Sequence, residues 1–212
     1  MAFTDYLNME QVIKKIPIKV LNDKYLADNL EFSLPEWFIE DMNFSLSIKS
    51  SQENETFYEE FLMVPFLKEV WKKHPMLKVW SHWPLHYDKD LSGYPDYLIS
   101  GILERQMYEV MTTPLLAVVQ AKQQNFIAGW AQCLAAMIAC QKLNDADETL
   151  EQKDIPIYGI VSTGEVWQFA RLEKDVLHKH PVPASIENPE HLAGILDDIF
   201  SKCEQHTHKR QP

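Results

Sequence analysis

The sequence predicts an α/β protein, with a central β-sheet flanked by helices. Two observations carry that expectation. Leu115-Leu116-Ala117-Val118-Val119 is a continuous apolar run, as a strand covered on both faces requires. After a short polar interval comes a long helical pattern, Phe126 to Leu143. Two strand-like runs follow it, Ile155 to Ser162 and Glu165 to Leu172, joined by Thr163-Gly164. Strand, helix and hairpin in that order is the signature of an α/β layer.

The chain has 212 residues, enough for one substantial domain with an N-terminal elaboration. We divide it into an extension, 1–50, packed on the core, and a main domain, 51–212. No apolar run approaches the ~20 residues that span a bilayer, and no membrane association is expected. The start, Met-Ala-Phe-Thr-Asp-Tyr, lacks the basic and apolar regions of a secretion signal. Cys133, Cys140 and Cys203 match no zinc spacing, and their odd number argues against a disulfide scaffold. They read as packed thiols in a reducing cytoplasm. The formal charge of −11 runs against casual duplex binding, which calls for a basic footprint.

Within the extension, Met9 to Ile16 reads as a short helix ending at Pro17, and Ile18-Lys19-Val20 as a short strand. The aromatic-rich stretch Leu34 to Ile39 is expected to pack on the main body. Residues 54–73 read as a helix. Phe57, Phe61, Leu62, Phe66, Leu67 and Val70 form its apolar stripe, and Pro65 kinks or splits it. Leu77 to Leu85 reads as a strand, and Tyr87 to Gly93 is turn material. Gly93-Tyr94-Pro95-Asp96-Tyr97-Leu98-Ile99 then opens a second strand, with Asp96 near its start. Asp88 and Asp90 read as turn residues. His82 and His86 have no Cys or His partner at metal-binding spacing and read as structural. Residues 102–113 connect to the apolar strand, and Glu104 and Glu109 on them are reserve acids. Asn188-Pro189-Glu190 opens a last helix, carrying Leu192, Ile195, Leu196, Ile199 and Phe200 at helical spacing.

The chemistry concentrates between Gly93 and Lys122. Alternate strand residues share a face, so Gln120 and Lys122 point the same way. If the two strands are neighbours, Asp96, Gln120 and Lys122 converge at one sheet edge. A carboxylate, a second oxygen ligand and an ammonium at one point suit Mg2+-assisted phosphodiester hydrolysis.

Pro95-Asp96, then Gln120-Ala121-Lys122 ending an apolar strand after a gap of 23 residues, resembles the PD-(D/E)xK nuclease superfamily. The helix bearing Gln132 and the hairpin Gly159 to Arg171 extend the resemblance over residues 55–172. It implies a restriction endonuclease-like core with a central mixed sheet of four to six strands and helices on both sides. It also implies a Mg2+-dependent DNA endonuclease, with Mn2+ as an alternative ion, DNA as partner and a homodimer as one assembly. By that resemblance Asp96, residue 120, the Ala121 carbonyl and Glu59 hold the metal, with Glu55 and Glu60 as alternatives to Glu59. Lys122 orients the attacking water and steadies developing charge, and Gln132 is an auxiliary polar group. The departure is Gln120, where the family has Asp or Glu. It removes one negative charge from beside a dication, worth about 4 kcal/mol at an effective dielectric near 20 before solvent offsets. A second reading is therefore kept: a silent nuclease-fold protein acting as a nucleic-acid-binding or protein-interaction component.

Overall fold

The computed structural model describes residues 2–102, 109–122 and 125–207. The protein is α/β, with a mixed central sheet flanked by helices. Seven strands run across the sheet in the order β1 (Lys19–Asn22), β9 (Val176–Lys179), β8 (Val166–Glu173), β7 (Ile157–Ser162), β6 (Leu115–Ala121), β5 (Tyr97–Gly101) and β2 (Leu77–Ser81). The short β10 (Ala184–Ser185) adds to β8, making eight strands among the described residues where four to six were expected. β6 pairs parallel with β7 and β1 with β9, while the other pairings are antiparallel. The additional strands are short or at the edge, where alternation over two to four residues carries little signal. A separate two-stranded ribbon, β3 (Leu85–His86) with β4 (Ser92–Gly93), fills the excursion between β2 and β5.

Two apolar cores lie on the two faces of this sheet. α5 (Phe126–Ala146) and α1 (Met9–Lys15) cover one face, with Leu98, Val118 and Val161 beneath them. α2 (Glu36–Ile48), α4 (Val64–Trp71) and α6 (Pro189–Glu204) cover the other, over Tyr97, Val119 and Ile160. Adjacent residues of β5 and β6 thus belong to opposite cores, as strand alternation demands. α5 is long and apolar enough to cross a membrane by length and composition, but its apolar window is 72% buried inside the fold. That is the environment of a core helix. Residues of the N-terminal stretch are integral to the layers: β1 extends the sheet, Tyr6 and Val12 are buried under α5, and Phe38 and Met42 in the other core.

Asparagine side chains start four helices. Asn8, Asn125 and Asn188 accept a backbone N–H from the first turn of α1, α5 and α6, and Asn54 does the same for the short α3 (Glu55–Tyr58). Gly164 turns between β7 and β8 at φ +88°, which an L side chain rarely adopts. His74 is buried at the end of α4 and held by α6, with Nδ1 3.1 Å from Glu204 Oε2 and Nε2 3.1 Å from Asp197 Oδ1.

The helix expected over residues 54–73 is broken in an instructive place. A five-residue π-helical turn, Glu59–Met63, separates α3 from α4, and Pro65 lies in the first turn of α4. Proline offers no N–H and its ring clashes with the carbonyl four residues back, here Phe61, so the regular ladder cannot run through. The widened turn sets the direction of Glu59, which leads it. Such turns recur at functional sites.

Candidate active site

The ends of β2 and β6 and the start of β5 meet at one edge of the sheet. Asp96 precedes β5 and its side chain is only 13% exposed. Its Oδ2 accepts the Ala121 backbone N–H at 2.6 Å and also a hydrogen bond from Gln120 Nε2. Its backbone carbonyl accepts the His82 N–H at 2.8 Å, tying the end of β2 to the same point. Burial pushes the Asp96 carboxyl up to about 6, against the lowering effects of the Ala121 N–H and Lys122, with Glu59 adding to the rise.

Lys122 follows β6 immediately, and its backbone N–H donates to Ser162 carbonyl oxygen of β7 at 2.9 Å. Its ammonium donates to Glu55 Oε1 at 3.0 Å. Glu59 comes from the opposite layer and is buried, yet its Oε1 has no hydrogen-bond partner among the described residues. Leaving a buried carboxylate oxygen unpaired is costly, so its persistence calls for an explanation. Tyr97 stands beside it. Burial and then the neighbouring Glu59 carboxylate hold the Tyr97 phenol well above its ordinary range.

His82 completes the cluster. Its Nε2 lies 3.6 Å from Glu59 Oε1 and 3.8 Å from Asp96 Oδ1, and the three residues offer ligand atoms within 4.8 Å of one another. The backbone reaches this position at φ +48°, in the left-handed region uncommon for residues with a side chain. Nδ1 sits 3.0 Å from Ser81 Oγ.

The structure therefore brings together Asp96, Gln120, the Ala121 backbone, Lys122 and Glu59 from the sequence-predicted set. Several details differ from the expectation. Gln120 meets Asp96 through its amide N–H, so in this arrangement its carbonyl oxygen is not offered as a ligand. Ala121 contributes its N–H to Asp96. Gln132 is buried on α5, and among the described residues no hydrogen bond joins it to Asp96, Gln120 or Lys122. Glu55, considered as an alternative ligand, partners Lys122 instead. Glu60 is exposed beside Trp37, Val64 and Lys68, outside the cluster. Glu109 is exposed, and Glu104 lies outside the described residues. Asp88 is a turn residue, its Oδ1 accepting the N–H groups of Asp90 and Leu91 at 2.8 Å.

His82, expected to be structural, lies beside Glu59 and Asp96, while His86 is exposed and outside the cluster. Metal-binding spacing in sequence looks for a His or Cys nearby and gives no signal for this cluster. The partners of His82 are carboxylates 23 and 14 residues away, on different elements.

The donor set could hold a divalent cation: two carboxylate oxygens, one of them buried and without a hydrogen-bond partner among the described residues, with a ring nitrogen across from them. No protein-family model matches the chain, and no curated protein matches it.

Proposed function

We propose that the protein is a divalent-metal-dependent DNA endonuclease of the PD-(D/E)xK type, slowed by Gln120. The observation that supports this reading is the convergence of Asp96, Glu59 and Lys122, from three elements and two layers, at one sheet end. Glu59 and Asp96 would hold the cation, through oxygens not committed to strong bonds elsewhere. A bound dication supplies Lewis acidity at the phosphoryl oxygen and lowers the pKa of water. The chain's own residues do the rest. Lys122 places an ammonium where the attacking water and the developing phosphorane charge are met. Glu55 holds that ammonium in place through their 3.0 Å contact. The Ala121 N–H holds Asp96 in one orientation, and burial of Asp96 and Glu59 strengthens every charge interaction within the notch.

Gln120 supports the slower rate. Its N–H against Asp96 partly neutralises the carboxylate on which the cation depends. The same contact, with the charge of −11, favours the alternative of a silent nuclease-fold protein that binds nucleic acid or a protein partner. A cytoplasmic setting belongs to the proposal too, and three buried free thiols suit it.

The test is nicking of supercoiled plasmid across Mg2+ and Mn2+ series, with Lys122→Met beside wild type. Methionine keeps the apolar stem and removes the charge. Loss of a positioned charge stabiliser costs about 100- to 1000-fold. Cleavage that is metal-dependent in wild type and falls by that factor in the variant is the expected result. Cleavage unchanged in Lys122→Met refutes the site, and no cleavage by either protein favours the silent alternative.

A further inference from the structure

We infer that His82 is a nitrogen ligand of this centre, and that the Glu59–His82–Asp96 cluster selects a first-row transition-metal dication over Mg2+. The inference rests on the proposed metal-dependent reading and specifies its ion. Three independent features carry it. The first is Glu59 Oε1, which has no hydrogen-bond partner among the described residues, belongs to a residue only 8% exposed and has His82 Nε2 at 3.6 Å. A buried acceptor facing into the cluster needs a cation or a donor there.

The second is the backbone of His82. Its φ of +48° is an unfavourable conformation for most side chains, and it is held by the 2.8 Å bond from its own N–H to the Asp96 carbonyl. That conformation turns the ring back over the start of β5, edge-on to Tyr97 at 6.0 Å. The third is Ser81. Ser81 Oγ lies 3.0 Å from Nδ1, and the ring stands with Nε2 toward the two carboxylates. Metal-binding histidines are oriented by such a contact at their other ring nitrogen.

Ligand atoms around one octahedral cation stand roughly 3 Å apart when adjacent and roughly 4 Å apart when opposite, given bonds of about 2.1 Å. The cluster needs only a small contraction to reach this. Mg2+ favours an all-oxygen set and keeps its waters, whereas imidazole suits the transition metals, with Mn2+ the weakest binder of the series and Zn2+ stronger. The His82 side chain is 55% exposed, so its outer side stays open for water or a substrate oxygen.

The experiment is calorimetric titration of the full chain, without DNA, with Mn2+, Zn2+ and Mg2+ in turn. It is paired with pulsed electron paramagnetic resonance of the Mn2+ form to read nitrogen coupling. Variants are His82→Asn, Glu59→Gln and His82→Gly. Asparagine and glycine both tolerate the left-handed backbone, so neither adds strain. Wild type should bind Mn2+ and Zn2+ at least about tenfold more tightly than Mg2+, with an imidazole nitrogen signal on Mn2+. His82→Asn and His82→Gly should lose that signal and at least about tenfold in Mn2+ and Zn2+ affinity, with Mg2+ affinity unchanged within about twofold. Glu59→Gln should weaken all three ions. Equal affinity for Mg2+ and Mn2+, or His82 variants that bind as wild type does, overturns the inference. Binding that survives Glu59→Gln does so too, since the ion then sits elsewhere. Mn2+ and Zn2+ binding that is lost in Glu59→Gln but indifferent to His82 would overturn the inference and leave the hydrolase reading standing. Absence of binding by every ion to wild type would remove both.

Discussion

Replacing Gln120 by glutamate tests the central contact of the notch, because it should weaken the metal-free protein while strengthening metal binding. In the structure Gln120 Nε2 donates to Asp96 Oδ2, and both residues are largely buried. Gln120→Glu removes a hydrogen bond to a charged acceptor, worth about 1.5–3 kcal/mol. It also sets two carboxylates in contact, a repulsion of about 4 kcal/mol at 4 Å for an effective dielectric of 20. Side-chain rotation and uptake of a shared proton relieve part of this, so a net loss of roughly 3 kcal/mol near pH 8 is expected. With a urea m-value of about 3 kcal/mol/M, the unfolding midpoint falls by about 1 M. The sign with pH follows from the carboxyl of Asp96, already pushed up to about 6 by burial. A second carboxylate raises the folded-state values further above the unfolded ones. The penalty is then complete above those raised values and fades as pH falls toward the unfolded range near 4. A dication between the pair should reverse the penalty outright. The assay is urea unfolding of wild type and variant at pH 8 and at pH 5, in chelator and in Mn2+. A variant as stable as wild type in chelator, or one indifferent to Mn2+, would refute the placement of residue 120 against Asp96.

Two further outcomes test the fold and its ionisation. Gly194 of α6 lets the loop at Leu30 and Glu31 press on the helix; a Cβ there would lie 2.6 Å from the Glu31 backbone nitrogen and 2.7 Å from the Leu30 carbonyl carbon. Gly194→Ala should cost about 1–3 kcal/mol and lower the melting temperature by roughly 2–12 °C, read by calorimetry, while metal affinity stays unchanged. His180 Nδ1 faces the backbone N–H groups of Tyr25 and Leu26 at 3.4 Å, and burial with nearby Lys24 lowers its pKa. A group whose folded pKa is lowered costs stability as pH falls through its unfolded value near 6.5. His180→Asn keeps an acceptor and removes the titration, so the variant should unfold with a shallower pH dependence between pH 7.5 and 5. Identical slopes would contradict this role.

Much of the architecture was legible because its signals are local. The run Leu115 to Val119 became the central strand β6, and the helix expected from Phe126 became α5, extending to Ala146. The hairpin across Gly164 and the capped helix at Asn188 followed from turn and cap chemistry that acts within a few residues. α2 was seen only as an aromatic-rich stretch, since apolar Trp37, Phe44 and Ile48 on its outer side blur the helical stripe. β9 was missed because four residues at the sheet edge carry too little pattern.

The sequence by itself determined the order of the main elements, β2, β5, β6, α5, β7, β8 and α6, and placed Asp96 and Lys122 at strand ends. Alternation, helical periodicity and capping are properties of neighbouring residues, so they survive without knowledge of the rest of the chain. Only the tertiary structure decided that Gln120 turns its N–H toward Asp96, that Glu55 takes Lys122, and that His82 joins Glu59 and Asp96. Those outcomes depend on which strands lie side by side, on a widened helical turn ahead of Pro65, and on one left-handed residue after β2. Each is a contact between segments distant in sequence, fixed by packing.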